Sequence, residues 1–301
     1  TEDWTAKDQG GTYTLTLTQT TPPTPGQPDK DPRVIPVAVG LLDPNGDEIR
    51  ATQVLELTET RQSFAFDGLA ARPIPSILRE FSAPVILERD TTNTERAFLL
   101  AHDTDPFNRW EAGNALAKDA RLKLVTEGAA PESSYLDALQ KLVRDDDLDP
   151  GFRALVLQPP SASDLAQTLF EQGHTPDPQA IHNASETMAQ TLAQTLSDSL
   201  PRLYAATSVE GSYQPDADGA GKRMLNFRIL SLLSRLDGGD QAAQQFASAD
   251  NMTLQNAALS CLLSIDKGAP QSQAFFEQWH HDRLVMDKWF AAQVAFAKPD
   301  A

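Results

Sequence analysis

Apolar positions along the chain repeat with one period before about residue 90 and with another after about residue 106. Tyr13–Thr18 alternates Tyr, Leu and Leu with Thr, the period of a half-buried strand. Ile35–Leu42, Ile49–Thr58 and Ser63–Phe66 read as further strands, separated by the turn signals Asp43-Pro44-Asn45-Gly46-Asp47 and Asp67-Gly68. Five or six short strands at this spacing predict an antiparallel sandwich. Thr1–Gly11 shows no period-two apolar pattern and is predicted to be loop, which leaves the sandwich without its first strand and the Tyr13–Thr18 strand with an open edge. Prolines at 22, 23, 25, 28, 32 and 36 fit either a stiff loop between two strands or a polyproline ligand for an aromatic groove; the strand-like flanks favour the loop.

The change of period falls between Arg72 and Trp110. Prolines at 73, 75 and 84 forbid a helix, and Phe81 and Val85–Leu87 are apolar and β-prone, so this part is predicted extended. Asp105-Pro106 then carries a helix start, with Asp as cap and Pro at the first helical position. Helices are predicted over Phe107–Val125 and Glu132–Val143, the second with Tyr135, Leu136, Leu139, Leu142 and Val143 on one face. A short helix opens at Asp149-Pro150, and Ser161 or Ser163 caps the next. A long helix begins at Asp177-Pro178, and Pro201 is expected to kink or break it. After a loop over Val209–Gly221 come Lys222–Leu236, Gln241–Ala247, Met252–Ile265, Pro270–His281 and Leu284–Ala297. Short connections make neighbours antiparallel, and the run of helix pairs predicts a solenoid-like stack.

Composition narrows the possible functions. The net charge of -17 gives a field of the wrong sign for nucleic-acid phosphates. No apolar run approaches the roughly 18–20 residues of a membrane span. The single cysteine, Cys261, excludes an intrachain disulfide and lies in an apolar helical run, where a thiol packs as a small hydrophobe. Asn183-Ala184-Ser185 and Asn251-Met252-Thr253 match the glycosylation sequon, a pattern that arises readily by chance.

Four strings carry a family resemblance. R-P-I-P-S-I-L-R-E-F-S-A-P-V (72–85), H-D-T-D-P-F-N-R-W-E-A (102–112), N-M-T-L-Q-N-A-A-L-S (251–260) and W-H-H-D-R-L-V-M-D-K-W-F (279–290) resemble the bacterial aminopeptidase N family of zinc metallopeptidases. The resemblance runs from about Tyr13 to the last residues. It implies a small Ig-like β-sandwich over residues 1–96, lacking its first strand, followed by an all-α superhelical domain over 97–301 that is cut short at its C-terminal end. It also implies a cytoplasmic enzyme that removes N-terminal residues from peptides with one Zn2+, whose helical domain encloses the active-site chamber. The family places substrate-facing basic residues late in the helical domain, beyond Pro299-Asp300-Ala301, so none is carried over.

Chemistry of that kind needs His-Glu-x-x-His on a helix, since spacing of four brings both imidazoles to one face. None of His102, His174, His182, His280 and His281 is followed by Glu, and no two are four apart. The family's Gly-x-Met-Glu-Asn string is absent too. By resemblance the catalytic domain, this chain's expected partner, lies upstream of Thr1; no zinc is expected on the chain and no catalytic, metal or cofactor-binding residue is assigned to it. Other candidate groups are weak. His280-His281-Asp282 points its side chains in different directions on a helix. Asp145-Asp146-Asp147-Leu148-Asp149 starts like a calcium loop but has Pro150 where Gly is needed and Val156 where Glu is needed. Asp218-Gly219-Ala220-Gly221-Lys222 lacks the phosphate loop's first Gly, having Asp216, and its Ser/Thr, having Arg223. Phe275, Phe276, Trp279, Trp289 and Phe290 form an aromatic cluster that fits interhelical packing or the wall of a peptide channel. A second reading of the whole chain is a stand-alone helical-repeat protein that grips a partner.

Overall fold

The computed structural model describes residues 1–7, 10–209 and 213–297. Asp8, Gln9, three residues of the expected 209–221 loop and the closing Lys298–Ala301 lie outside the described residues. The chain packs as two compact units, Thr1–Ala117 and Lys118–Ala301.

The first unit is built on two three-stranded antiparallel sheets. One has the order β1-β2-β5, from Glu2–Thr5, Gly11–Thr18 and Arg61–Leu69; the other has β4-β3-β6, from Glu48–Leu57, Ile35–Leu42 and Ile74–Ile77. Tyr13, Leu15, Phe66 and Leu69 of the first sheet meet Val37, Val39, Leu41, Leu55, Leu57 and Ile77 of the second in one core. This is the sandwich that the alternation predicts.

Three expectations for this unit are corrected. Thr1–Gly11 contains a strand: β1 pairs antiparallel with β2, Glu2 opposite Leu15 and Trp4 opposite Tyr13, and it covers the edge that was expected to be open. The pattern is hidden because one of the two inward positions is Glu2. Arg89 and Arg72 neutralise it, while Trp4 packs on the bare backbone of Gly11, where a Cβ would lie 2.2 Å from the indole. Second, the extended stretch after Arg72 is β6 at Ile74–Ile77, not Phe81 or Val85–Leu87. Pro75 is tolerated because β6 pairs on one side only. Phe81 ends a single 3-10 turn, and Ile86 is fully out in solvent. Third, the stretch between Leu87 and Asp105, for which no element is predicted, folds as α1, Asn93–His102, with Thr92 accepting from the Glu95 amide. The next helix, α2, spans Pro106–Glu127. The boundary expected between residues 96 and 97 falls within α1, and α1 and the start of α2 belong to the first compact unit.

The second unit continues with ten helices among the described residues: α3 Ser133–Arg144, α4 Pro150–Val156, α5 Ala162–Glu171, α6 Pro178–Leu196, α7 Leu200–Ala206, α8 Ala217–Asp237, α9 Asp240–Ser248, α10 Met252–Ser264, α11 Ala269–Trp279 and α12 Arg283–Ala295. The sequence signals act as expected. Ser161 and Asp164 form a capping box, and Pro201 sits in the first turn of α7 after α6 stops. One core cluster sets Leu165 and Leu169 of α5 and Ile181 of α6 against Leu122 and Val125 of α2, and two others join sequential neighbours: α8, α9 and α10 through Leu230, Ala242 and Ala258, and α10, α11 and α12 through Leu259, Phe275 and Val285. Such nearest-neighbour packing is the organisation of a helical repeat array.

α8 begins at Ala217, not at Lys222 as expected. Gly219 and Gly221 disfavour a helix by propensity, but both are buried in it. The reason is a close crossing with α4: a Cβ on Gly221 would lie 3.0 Å from the Gly151 nitrogen. Because the obstacle is backbone, Gly221→Val is expected to destabilise the chain by about 1–3 kcal/mol despite a better helix propensity. Urea unfolding checks this; an unchanged midpoint would mean that the crossing tolerates a side chain.

Candidate functional site

Two of the four strings that carry the family resemblance meet in space. Arg79 leaves the 3-10 turn Arg79–Phe81 and crosses β3 at Gly40, where a Cβ would lie 2.2 Å from the guanidinium carbon. A glycine in the middle of a strand marks such a close approach. Its Nε donates to Ser76 Oγ at 2.8 Å, its Nη1 to Glu48 Oε2 and Thr52 Oγ1 at 3.0 Å, and its Nη2 to Asp103 Oδ1 at 3.1 Å. The guanidinium is 3 % exposed and the Asp103 carboxylate 0 %. Asp103 Oδ1 also accepts from the Asp105 amide at 3.0 Å. Asp105 caps α2 by accepting from the Asn108 amide at 2.8 Å, and its other oxygen accepts from the Glu80 amide at 3.0 Å. Asn108 Nδ2 donates to Ser76 Oγ and to the Ile77 carbonyl.

Charge balance in this cluster is uneven, with one guanidinium facing Glu48, Asp103 and Asp105. Burial raises the Asp103 carboxyl above its ordinary pKa, against the pull of Ser76, the Asp105 amide and Arg79. Glu48 moves the other way: the hydrogen bond from the Thr104 hydroxyl and the pairing with Arg79 outweigh its partial burial and lower it. The network holds a strained turn. Leu78, Glu80 and Phe81 all have positive φ, at 62°, 55° and 51°, and none is glycine. Each such residue costs about 1–2 kcal/mol. The turn leaves Phe81 54 % exposed, its ring 5.3 Å from that of Phe107, which lies 6.0 Å from Trp110.

The residues singled out in the sequence are scattered. His102 stacks on Phe98 at 4.9 Å, His174 is exposed between α5 and α6, and His182 is exposed on α6. His280 and His281 sit edge to face beyond α11. Asp146 pairs with Arg153 and Arg202, Asp145 accepts from the Asp147 amide, and Asp149 caps α4, so the acidic run faces three ways. Asp216 caps α8 through the Gly219 amide, and Arg223 lies over Tyr213, so this stretch is a helix start. Asn251 caps α10 and Asn183 is exposed on α6. Phe275 is core, Trp279 donates to Gln255 and Trp289 to Ser272, whereas Phe276 and Phe290 face solvent. Burial pushes the Cys261 thiol up to about 12. It is expected to resist thiol reagents at pH 8 until the chain unfolds; rapid stoichiometric labelling of the folded protein would contradict its packing.

Comparison with known proteins gives these features a context. A family described as "Domain of unknown function (DUF3458_C) ARM repeats" matches residues 93–301, and "Domain of unknown function (DUF3458) Ig-like fold" matches 1–90. The chain belongs to the DUF3458 family. It resembles proteins named Aminopeptidase N, as the four strings imply. It is 40% identical to that of Caulobacter vibrioides over 274 residues, covering 88% of this chain and 31% of that protein. With the Escherichia coli protein it shares 34% over 298 residues, covering 93% and 34%. Among solved structures, Legionella pneumophila aminopeptidase A in complex with aspartic acid superposes with a TM-score of 0.81 at 26% identity, over 99% of this chain and 35% of that one. The chain thus spans about a third of the length of the curated relatives it matches.

Among the described residues, no three His, Cys, Asp or Glu side chains come together as metal ligands. No described helix is long and apolar enough to cross a membrane.

Proposed function

We propose that this chain is the non-catalytic part of a cytoplasmic zinc aminopeptidase that releases N-terminal residues from peptides, and that its helical repeats enclose the chamber in which the peptide is cut. The observation that carries this reading is the 34–40% identity to proteins named Aminopeptidase N over nearly the whole chain, coupled with a sequence that has no His-Glu-x-x-His. In this reading the metal and the reacting groups belong to residues outside the chain, and Thr1–Ala301 supplies no catalytic residue. The Arg79 network supports it in a second way. Ser76, Arg79, Asp103, Asp105 and Asn108 come from the strings 72–85 and 102–112, so two of the strings that resemble the peptidase family are spent on fixing one turn and one helix start.

The encoding gene tests the reading first. Its reading frame is expected to contain His-Glu-x-x-His outside these residues, and the whole product to hold one zinc and hydrolyse aminoacyl substrates. Thr1–Ala301 alone is expected to do neither. A frame without that motif, or one tight zinc per chain on Thr1–Ala301 by elemental analysis, would refute it.

A further inference from the structure

The strained turn at Leu78–Phe81 puts Leu78 into the sandwich core and Arg79 into its buried network, and leaves Phe81 outside both. An aromatic side chain that served the core would point inward; Phe81 is held outward, 54 % exposed, by three left-handed residues in four. Non-glycine residues in that region persist where surrounding structure over-determines them, and they cluster at functional positions. Here the surroundings are explicit: Asp105 accepts the Glu80 amide, the Ser82 amide donates to the Arg79 carbonyl, and Ser82 Oγ accepts from the Ala38 amide. Phe81 continues into Phe107 and Trp110, a ladder of three rings with successive centroids 5.3 Å and 6.0 Å apart. Five residues after Phe81, in a segment without regular structure, Ile86 is 92 % exposed between the exposed Val85 and Leu87. Aromatic residues presented rigidly at a surface are the usual anchors of a protein–protein contact, since little side-chain entropy is lost when they are covered.

We propose that the Phe81–Phe107–Trp110 ladder, with Ile86, is the seat on which the zinc-bearing portion of the full-length peptidase docks. This rests on the reading that the chain is part of such a peptidase. The occupant is chosen because curated relatives are about three times as long as the matched length, and because the turn lies within one of the strings that resemble the peptidase family. The Arg79 network acts here as the positioning device: it holds the turn whose strain keeps Phe81 available.

The test uses the protein of the whole reading frame, with the photo-reactive residue p-benzoylphenylalanine placed by Phe81→p-benzoylphenylalanine. A second variant carries it at Ile86, and a control carries it at Val34, an exposed apolar residue of the proline-rich loop. After irradiation, mass spectrometry of the digest is expected to show adducts from positions 81 and 86 to peptides of the His-Glu-x-x-His-bearing portion, at least tenfold above position 34. Placement at Ile86, where the backbone is unstrained and the side chain already in solvent, keeps the test valid if the substitution at Phe81 disturbs the turn. Adducts confined to Thr1–Ala301, or equal yields at 34 and at 81 and 86, would overturn the docking seat while leaving the peptidase reading intact. A frame without the motif would overturn both.

Discussion

Arg79→Ala is expected to destabilise the protein by about 3–5 kcal/mol, the range for breaking a buried ion pair by removing one partner. The substitution leaves Asp103, wholly buried, with a desolvated charge and no cation, and it leaves Ser76, Thr52 and Glu48 short of a donor. Asp103→Asn is expected to be much milder, because the amide oxygen can still accept from Arg79 and from the Asp105 amide. The loss in Arg79→Ala depends on pH with a definite sign. Asp103 has a raised pKa in the folded chain, so its contribution is fully present below its unfolded value and is lost as pH rises through the raised one. Removing Arg79 raises it further and makes the variant relatively worse at neutral pH. Glu48 has a lowered pKa, so the stability it brings to the native chain is present above its unfolded value and is lost as pH falls through the lowered one. Both effects narrow the gap between variant and native chain on going from pH 7 toward pH 4. Denaturant unfolding at the two pH values measures it. A loss below about 1 kcal/mol, or a gap that widens in acid, would mean that the network does not hold the turn.

Deleting Thr1–Thr5 is expected to have the second large effect, about 3–5 kcal/mol, in the range for losing a buried aromatic or one partner of a buried ion pair. Three things go at once. Trp4 uncovers Gly11. Arg89, 15 % exposed, loses Glu2 and keeps Glu95. The edge of β2 loses its partner, and Thr and Leu along it carry no charge to discourage pairing with another chain. The deleted protein is therefore expected to sediment as larger species than the intact chain at the same concentration, and to melt lower. The ion pair adds a pH signature. Burial pushes the Glu2 carboxyl up, but the Arg89 guanidinium bonding it does more, and its pKa ends below the ordinary value. Its contribution is thus present above about pH 4.5 and lost in acid, so the penalty of Glu2→Gln should fade as pH drops through the lowered value. Equal sedimentation of both proteins would show that the β2 edge is protected by something other than β1.

Local sequence determined most of the secondary structure. Strand alternation in β2, the Asp43–Asp47 turn, the Ser161 and Asp177 caps and the end of a helix just before Pro201 each depend on residues within a few positions of one another, and each appears in the fold where the sequence puts it. The absence of a catalytic motif is also a local fact, readable from five histidines and their neighbours. What the tertiary structure decided is where distant partners override a local signal. Glu2 faces inward because Arg89, far along the chain, neutralises it, so β1 has no apolar alternation to reveal it. Gly219 and Gly221 lie inside a helix because α4 crosses there with backbone against backbone, a reason that no propensity contains. Phe81 looks like a core strand residue by composition and is turned outward by a buried arginine. The guanidinium that passes over Gly40 comes from 39 positions on, and only folding brings Arg79 between Glu48 and Asp103. Periodicity reports what a residue does to its neighbours in sequence; ion pairs, close crossings and strained turns are set by neighbours in space.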